Sequence, residues 1–402
     1  MSHRYAFSTK GVLRHIQPRL RKEYCVANQL FADLPFLQED DADLDALCEA
    51  IQELPASLRT DVEQDLQDVY LLADEDGMHM VYEEARFRGE DLTAALTDMD
   101  GPHDTALWTL LNREDLFGEL LRFCNAERLS RRSWHTRLGV SKEEPETSKA
   151  ARDRLSLALT DYLVPREGRG HRCHIDYLRR STGHLFIAYP EDFPTTLFEY
   201  DDDDELARRK IRPTTDLLFF YSSETGKLEI FSQGGKKKIQ DLQVIFAQTI
   251  LGIGLGPAGS DGRVYDLNLL KQRDFSFLTD PTTGLLEIEV KWVHLRDRDG
   301  GRGLTLEVGG PPGRGVMFAA ERYFATEPSQ TTEKYPLFLM DIDRAYLQAH
   351  FRPLARKRRG RTRTFPITPN GCLLDQEGLD GAIRKALIDS GVERLAPDLV
   401  LA

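Results

Sequence analysis

The spacing of apolar residues changes once along this chain, near Pro165, and that change limits the folds open to it. Upstream, apolar residues recur every three or four positions. "DADLDALCEAIQEL" sets Leu44, Leu47, Ile51 and Leu54 on one helical stripe. "SLRTDVEQDLQDVYLLADEDG" does the same with Leu58, Val62, Leu66, Val69 and Leu72. Leu107, Leu110, Leu111, Leu116, Leu120 and Leu121 continue the pattern. A period near 3.6 is that of a helix with one buried face. Residues 140–153 are polar and broken by proline, and one more helix over "ARDRLSLALTDYLV" is expected after them.

Downstream the period falls to two, which is the signature of strands. Alternating runs flank Ser181-Thr182-Gly183, Glu224-Thr225-Gly226 and residues 280–284, predicting three hairpins. Further strands are expected in "KYPLFLMDIDRAYLQAHFRP" and "TRTFPITPNGCLL", and "RVYDLNLL" also reads as a strand. One helix, "KKKIQDLQVIFAQTILG", interrupts them with a stripe of Ile239, Leu242, Ile245, Phe246 and Ile250. A last helix is expected over "EGLDGAIRKALIDSG", stopped by Gly391. The expected fold is α+β: a helical domain over 1–165, available for a partner or a dimer contact, and a mainly antiparallel domain over 166–402.

No run of apolar residues approaches the roughly 18 needed to span a membrane. The five cysteines are scattered and odd in number, which points to reduced thiols and a cytoplasmic setting. Arginine outnumbers lysine 39 to 14, a bias that suggests a GC-rich bacterial genome.

Charge is distributed unevenly. The chain carries −13 in total, yet residues 352–363 hold seven cations and no acid. The remaining 390 residues therefore sum to −20, since −13 less +7 is −20. An acidic chain cannot coat nucleic acid over its whole surface, but one basic patch can still bind it. The seven are Arg352, Arg356, Lys357, Arg358, Arg359, Arg361 and Arg363. So many cations repel one another unless phosphates, an acidic protein or carboxylates of the same chain neutralise them. The guanidinium fork favours phosphate. Gly360, with alternation around Thr362 and Thr364, suggests a hairpin tip of the kind β-ribbon readers carry into a groove. Lys236, Lys237 and Lys238 form a second group, at the expected start of a helix, where positive charge opposes the macrodipole. Such a placement makes sense if it serves an anion.

Other motifs are weaker. "GLGPAG" at 254–259 matches G-x-G-x-x-G, but it follows a helix where a dinucleotide site needs a strand. The acidic run at 201–205 lacks the alternation of a calcium loop and reads as a turn that caps a helix beginning at "ELARRK". Cys173 and His174 point to opposite faces of any strand, so with His171 and His184 they make a poor zinc set, and the histidines are expected to be exposed. "LEIEVKW" gives Glu289-x-Lys291 with Asp280 upstream, the outline of a D…(D/E)xK nuclease that would require Mg²⁺. Strand alternation would set Glu287, Glu289 and Lys291 on one face and Leu286, Ile288, Val290 and Trp292 on the other.

The leading expectation is a nucleic-acid-binding accessory protein without chemistry of its own and without a cofactor. Its ligand is DNA ahead of RNA, in a setting such as bacterial DNA handling or anti-phage defence. The alternatives are a metal-dependent nuclease using Asp280, Glu289 and Lys291, and a protein-interaction scaffold with an acidic partner.

Overall fold

A computed structural model of the chain describes residues 7–31, 41–130, 134–200, 205–256, 264–298, 303–308, 315–317, 319–320, 340–353 and 360–394. It divides into two compact units, residues 1–128 and 129–402. Among the described residues no helix is long and apolar enough to cross a membrane.

The first unit is helical: α1 (Thr9–Leu13), α2 (Pro18–Ala27), α3 (Asp41–Gln52), α4 (Ala56–Leu72), α5 (Glu75–Phe87), α6 (Thr93–Leu96), α7 (Pro102–Asn112) and α8 (Glu114–Ser130). The stripes read from spacing are its core: Leu44, Leu47, Ile51, Val62, Leu66, Val69, Leu72, Leu107, Leu116 and Leu120 are all buried. Leu54, Leu110, Leu111 and Leu121 of the same stripes are half-buried, and Leu58 is exposed, at 43%, in the first turn of α4. Asp104 is wholly buried and spends both carboxylate oxygens on backbone amides, of Gln17 at 2.8 Å and Asp100 at 3.0 Å. Those bonds satisfy donors that the chain would otherwise bury unpaired.

The second unit holds β1 (His135–Arg137), α9 (Lys149–Glu167), β2 (Cys173–Arg180), β3 (Gly183–Pro190), β4 (Thr195–Tyr200), β5 (Leu206–Ile211), β6 (Leu217–Ser222), β7 (Lys227–Phe231), α10 (Lys236–Phe246), β8 (Leu285–Asp297), β9 (Gly303–Glu307), β10 (Met340–Phe351), β11 (Thr362–Thr368), β12 (Gly371–Cys372) and α11 (Gly378–Asp389). Strands form one sheet in the order β1-β7-β6-β3-β2, a second in the order β12-β11-β10-β8-β9, and a separate ribbon of β4 and β5. Among the described residues every strand pair is antiparallel. The unit boundary precedes α9, whose Leu155, Leu159 and Leu163 pack on the first sheet beside Leu242 and Phe246 of α10. The second sheet packs one face on α11 and the segment Val264–Leu270 through Val293, Leu295, Ala345, Leu347, Ile383 and Leu387.

Several local expectations are corrected. Residues 206–211, expected to be helical, are β5, because each of them pairs across to β4. The hairpin expected around 280–284 has one strand only. Asp280 caps a short 3₁₀ turn, Pro281–Thr283, and the preceding Phe275 and Phe277 pack as irregular chain against the second core. "DLNLL" is likewise a 3₁₀ turn, Leu267–Lys271, after an isolated bridge of Tyr265 to Glu393. His184 is buried, not exposed. It meets the Tyr177 hydroxyl at 2.9 Å and Glu144 at 2.9 Å.

A buried polar network joins the first sheet to the C-terminal helix. Glu229 on β7 accepts from Thr136 (3.0 Å), Gln376 (2.8 Å) and Arg384 (3.3 Å), and Lys227 donates to Glu393 at 2.8 Å. Arg180 at the end of β2 bonds Glu377 through two nitrogens. These partners lie between 93 and 197 residues apart in sequence, so they assemble only with the tertiary fold.

Candidate nucleic-acid interface

The site begins with the pairing of β8 and β10. Three bulges interrupt their register, between Ile342 and Arg344, Tyr346 and Leu347, and His350 and Phe351. A bulge adds one residue to one strand and shifts the phase of every side chain beyond it. At the second bulge the extra residue is Lys291: Leu347 pairs with Val290 and Tyr346 with Trp292. Core-facing residues therefore run Ile288, Val290, Val293, Leu295. Trp292, expected on the core face by simple alternation, sits instead on the face of Glu289 and Lys291.

That outward face has its own organisation. The rings of Trp292 and Tyr346 stack across the strands, 4.2 Å between centroids and 19° from parallel. Gln348 donates to the hydroxyl of Thr364 at 3.1 Å on one side of the pair. On the other side Asp343 takes bonds from His294 and from Arg296. Partial burial would raise the Asp343 carboxyl, but these two bonds outweigh it and hold the group below its ordinary range. Arg344, opposite His294, is exposed.

The basic segment connects the two strands beside this face. Pairing of β10 with β11 runs out to His350 opposite Thr362, and Phe351 donates to the Arg361 carbonyl at 2.9 Å. Residues 352–361 are thus the connection of an antiparallel hairpin. Arg352 and Arg361 are exposed at its two sides. Gly360 is sterically required there, since a Cβ would fall against the carbonyl oxygen of Phe351, far inside contact distance. Arg356, Lys357, Arg358 and Arg359 lie outside the described residues. Arg363 is different: it reaches Asp380 at 2.9 and 3.0 Å and the Leu373 carbonyl at 3.3 Å, so its charge is already met within the chain.

Of the second basic group, Lys236 and Lys237 are exposed in the first turn of α10, and Lys238 is held by Glu167 at 2.7 Å. Gly235 precedes them as the cap residue, with no side-chain cap bond.

The proposed nuclease residues are not gathered into one set. Asp280 bonds Thr282, through backbone and side chain, and Lys385 of α11, the helix that covers the sheet's opposite face. The Thr282 bonds and the lysine hold its carboxyl down at about 2. Glu289 bonds Lys291 at 2.6 Å, which lowers its carboxyl. His350 stands 3.5 Å from the same oxygen. One group capable of holding a metal does occur among the described residues: Glu287, Glu289 and His350, with ligand atoms all within 4.8 Å of one another. Glu287 pairs directly with His350 across the strands, at the hairpin end of the sheet. Sequence spacing could not single out His350, because it reaches Glu287 only through the β8–β10 register. The Trp292–Tyr346 stack was hidden for the same reason.

No protein-family model, no curated protein and no solved structure matches this chain.

Proposed function

We propose that this chain binds nucleic acid through the basic connection between β10 and β11. One observation carries the reading: six cations, Arg352, Arg356, Lys357, Arg358, Arg359 and Arg361, fall within the ten residues joining two paired strands. A hairpin connection concentrates positive charge at one end of a sheet, where backbone phosphates can neutralise it. The adjoining outward face adds what phosphate contacts alone lack. Its stacked Trp292 and Tyr346 offer aromatic surface, and Gln348, Thr362 and Thr364 offer donors and acceptors. Lys236 and Lys237 are a second, separate source of phosphate contacts. In this reading the protein acts by binding, with no bond made or broken.

The test is titration of labelled DNA and RNA over a range of salt concentrations. Tight binding at low salt with a steep salt dependence is expected, falling at least tenfold when Arg356, Lys357, Arg358 and Arg359 become alanine. An unchanged affinity in that variant would refute the proposal, and a switch of preference to an acidic protein would replace it with the scaffold reading.

A metal-dependent nuclease is the second reading, favoured by the convergence of Glu287, Glu289 and His350 beside Lys291. Carboxylates and an imidazole suit Mn²⁺ or Zn²⁺ better than an all-oxygen Mg²⁺ site. Divalent-dependent cleavage that disappears in Glu289→Ala and in His350→Ala would establish it. Intact substrate after prolonged incubation with each metal would remove it.

A further inference from the structure

A bulge at the hairpin end of the β8–β10 pair decides what faces His350. Phe351 pairs with Leu285, but His350 pairs with Glu287, so Leu286 is the extra residue. Unbroken pairing would set His350 against Leu286 instead. Bulges often re-aim a side chain beside a functional site. This one brings a carboxylate opposite an imidazole. Glu289, two residues further along β8, lies on the same face as Glu287. Ile288 between them is buried in the core of the second sheet, and so are Ala349 and Phe351 on either side of His350. All three polar residues therefore stand on paired, core-anchored strands, a more rigid base than a loop.

The ligand atoms of these three side chains all lie within 4.8 Å of one another. Two glutamates alone would be an ordinary solvated strand face. The imidazole changes the chemistry. His350 Nε2 is shielded from solvent and has no hydrogen-bond partner. It stands 3.5 Å from Glu289 Oε2, which is long for a hydrogen bond. That separation is close to the ~3.3 Å between two ligand atoms on a tetrahedral ion with bonds of about 2.0–2.1 Å. A shielded nitrogen without a partner is costly, and a bound cation would relieve it. The same carboxylate oxygen holds the Lys291 ammonium at 2.6 Å, so without a metal the chain keeps a cation of its own on this group.

We propose that Glu287, Glu289 and His350 bind one divalent transition-metal ion, Zn²⁺ ahead of Mn²⁺, and that Lys291 is its built-in competitor. One imidazole with two carboxylates suits Zn²⁺, which also stands above Mn²⁺ in the general affinity order of such sites. The ion takes Glu289 from Lys291 and ties β8 to β10 at the end of the sheet. Three protein ligands leave a fourth position for water or an anionic oxygen. The site goes beyond both readings above, since it needs neither nucleic acid nor cleavage. The nuclease reading depends on it, but it does not depend on the nuclease reading.

Equilibrium dialysis of the full chain against Zn²⁺ alone, after treatment with a chelator, tests it. One ion per chain is expected, with a melting temperature that rises as Zn²⁺ is added. Glu287→Gln and His350→Gln should each lower the affinity by about tenfold or more. Co²⁺ should compete with Zn²⁺ and bind without the ultraviolet sulfur-to-cobalt band that ligation by any of the five cysteines would give. Lys291→Met should bind Zn²⁺ several times more tightly, a gain that misfolding cannot imitate. Failure to bind either Zn²⁺ or Mn²⁺ would overturn the proposal. So would an affinity that Glu287→Gln and His350→Gln leave unchanged, a strong sulfur-to-cobalt band, or a Lys291→Met chain that binds no more tightly than the original.

Discussion

Arg180 and Glu377, 197 residues apart in sequence, meet as an ion pair whose two side chains are each 1% exposed. Arg180 ends β2, and Glu377 is the cap residue just before α11. Two nitrogens of the guanidinium engage both carboxylate oxygens, and Thr182 adds a hydroxyl bond at 3.3 Å. Removing one partner of such a pair strands the other charge in a medium that solvates it poorly. Glu377→Ala is expected to destabilise the second unit by about 3–5 kcal/mol. Replacing both residues with well-fitted apolar ones should recover most of that loss. Denaturant unfolding followed by circular dichroism measures both.

Glu229 predicts a pH dependence. Burial alone would raise its carboxyl, but Arg384, Lys227 and the bonds from Gln376 and Thr136 prevail and bring it from 4.5 to about 2. A folded value below the unfolded one means that the unfolded chain binds the proton more readily in between. Its contribution is therefore complete above about pH 4.5 and is lost as pH falls toward about 2. Across that window stability should fall by up to about 1.4 kcal/mol per pH unit for this one group. Glu229→Gln should be less stable at neutral pH and show a shallower slope below pH 4.5.

Gly360 and Arg363 separate geometry from charge in the basic hairpin. Gly360→Ala removes no cation, yet its methyl group must displace the Phe351 backbone at the neck of the hairpin. It should weaken nucleic-acid binding without restoring any acidic partner, in a titration run beside the four-alanine variant.

Arg363→Ala should do the opposite. Its guanidinium is already bound to Asp380, so its loss is expected to cost about 1–3 kcal/mol of stability and to change affinity little. Thermal unfolding and the same titration tell the two outcomes apart.

The Trp292–Tyr346 stack is expected to be worth about 0.5–1.5 kcal/mol beyond the area it buries. A double-mutant cycle with Trp292→Ala and Tyr346→Ala reads that coupling directly. In the nucleic-acid reading, the same changes also lower affinity for single strands, whose bases can stack on these half-exposed rings, more than for duplex.

What could be read from sequence was whatever repeats locally. The stripe through Ile239, Leu242 and Phe246 gave α10, and the turns at 181–183 and 224–226 gave β2–β3 and β6–β7 correctly. Alternation failed where a bulge reset its phase, as at Lys291. It also failed at residues 206–211, where cations beside an acidic run look like a capped helix until their pairing with β4 is known. The Glu287–Glu289–His350 group and the bond from Arg363 to Asp380 were out of reach, because both depend on contacts between elements that no spacing encodes.

The buried network has a consequence for synthesis. The first sheet contributes Arg180, Lys227 and Glu229. Lys227 and Glu229 offset each other in part at 3.5 Å, but Glu377, the charge partner of Arg180, and the further partners Gln376, Arg384 and Glu393 come at least 147 residues later in the chain. A nascent chain that has made the sheet strands but not residues 376–393 holds charges it cannot bury without a large penalty. The sheet must wait, part-solvated, until those residues leave the ribosome. A fragment released before residue 376 should then be recognised by the cell as unfinished, however complete its apolar core.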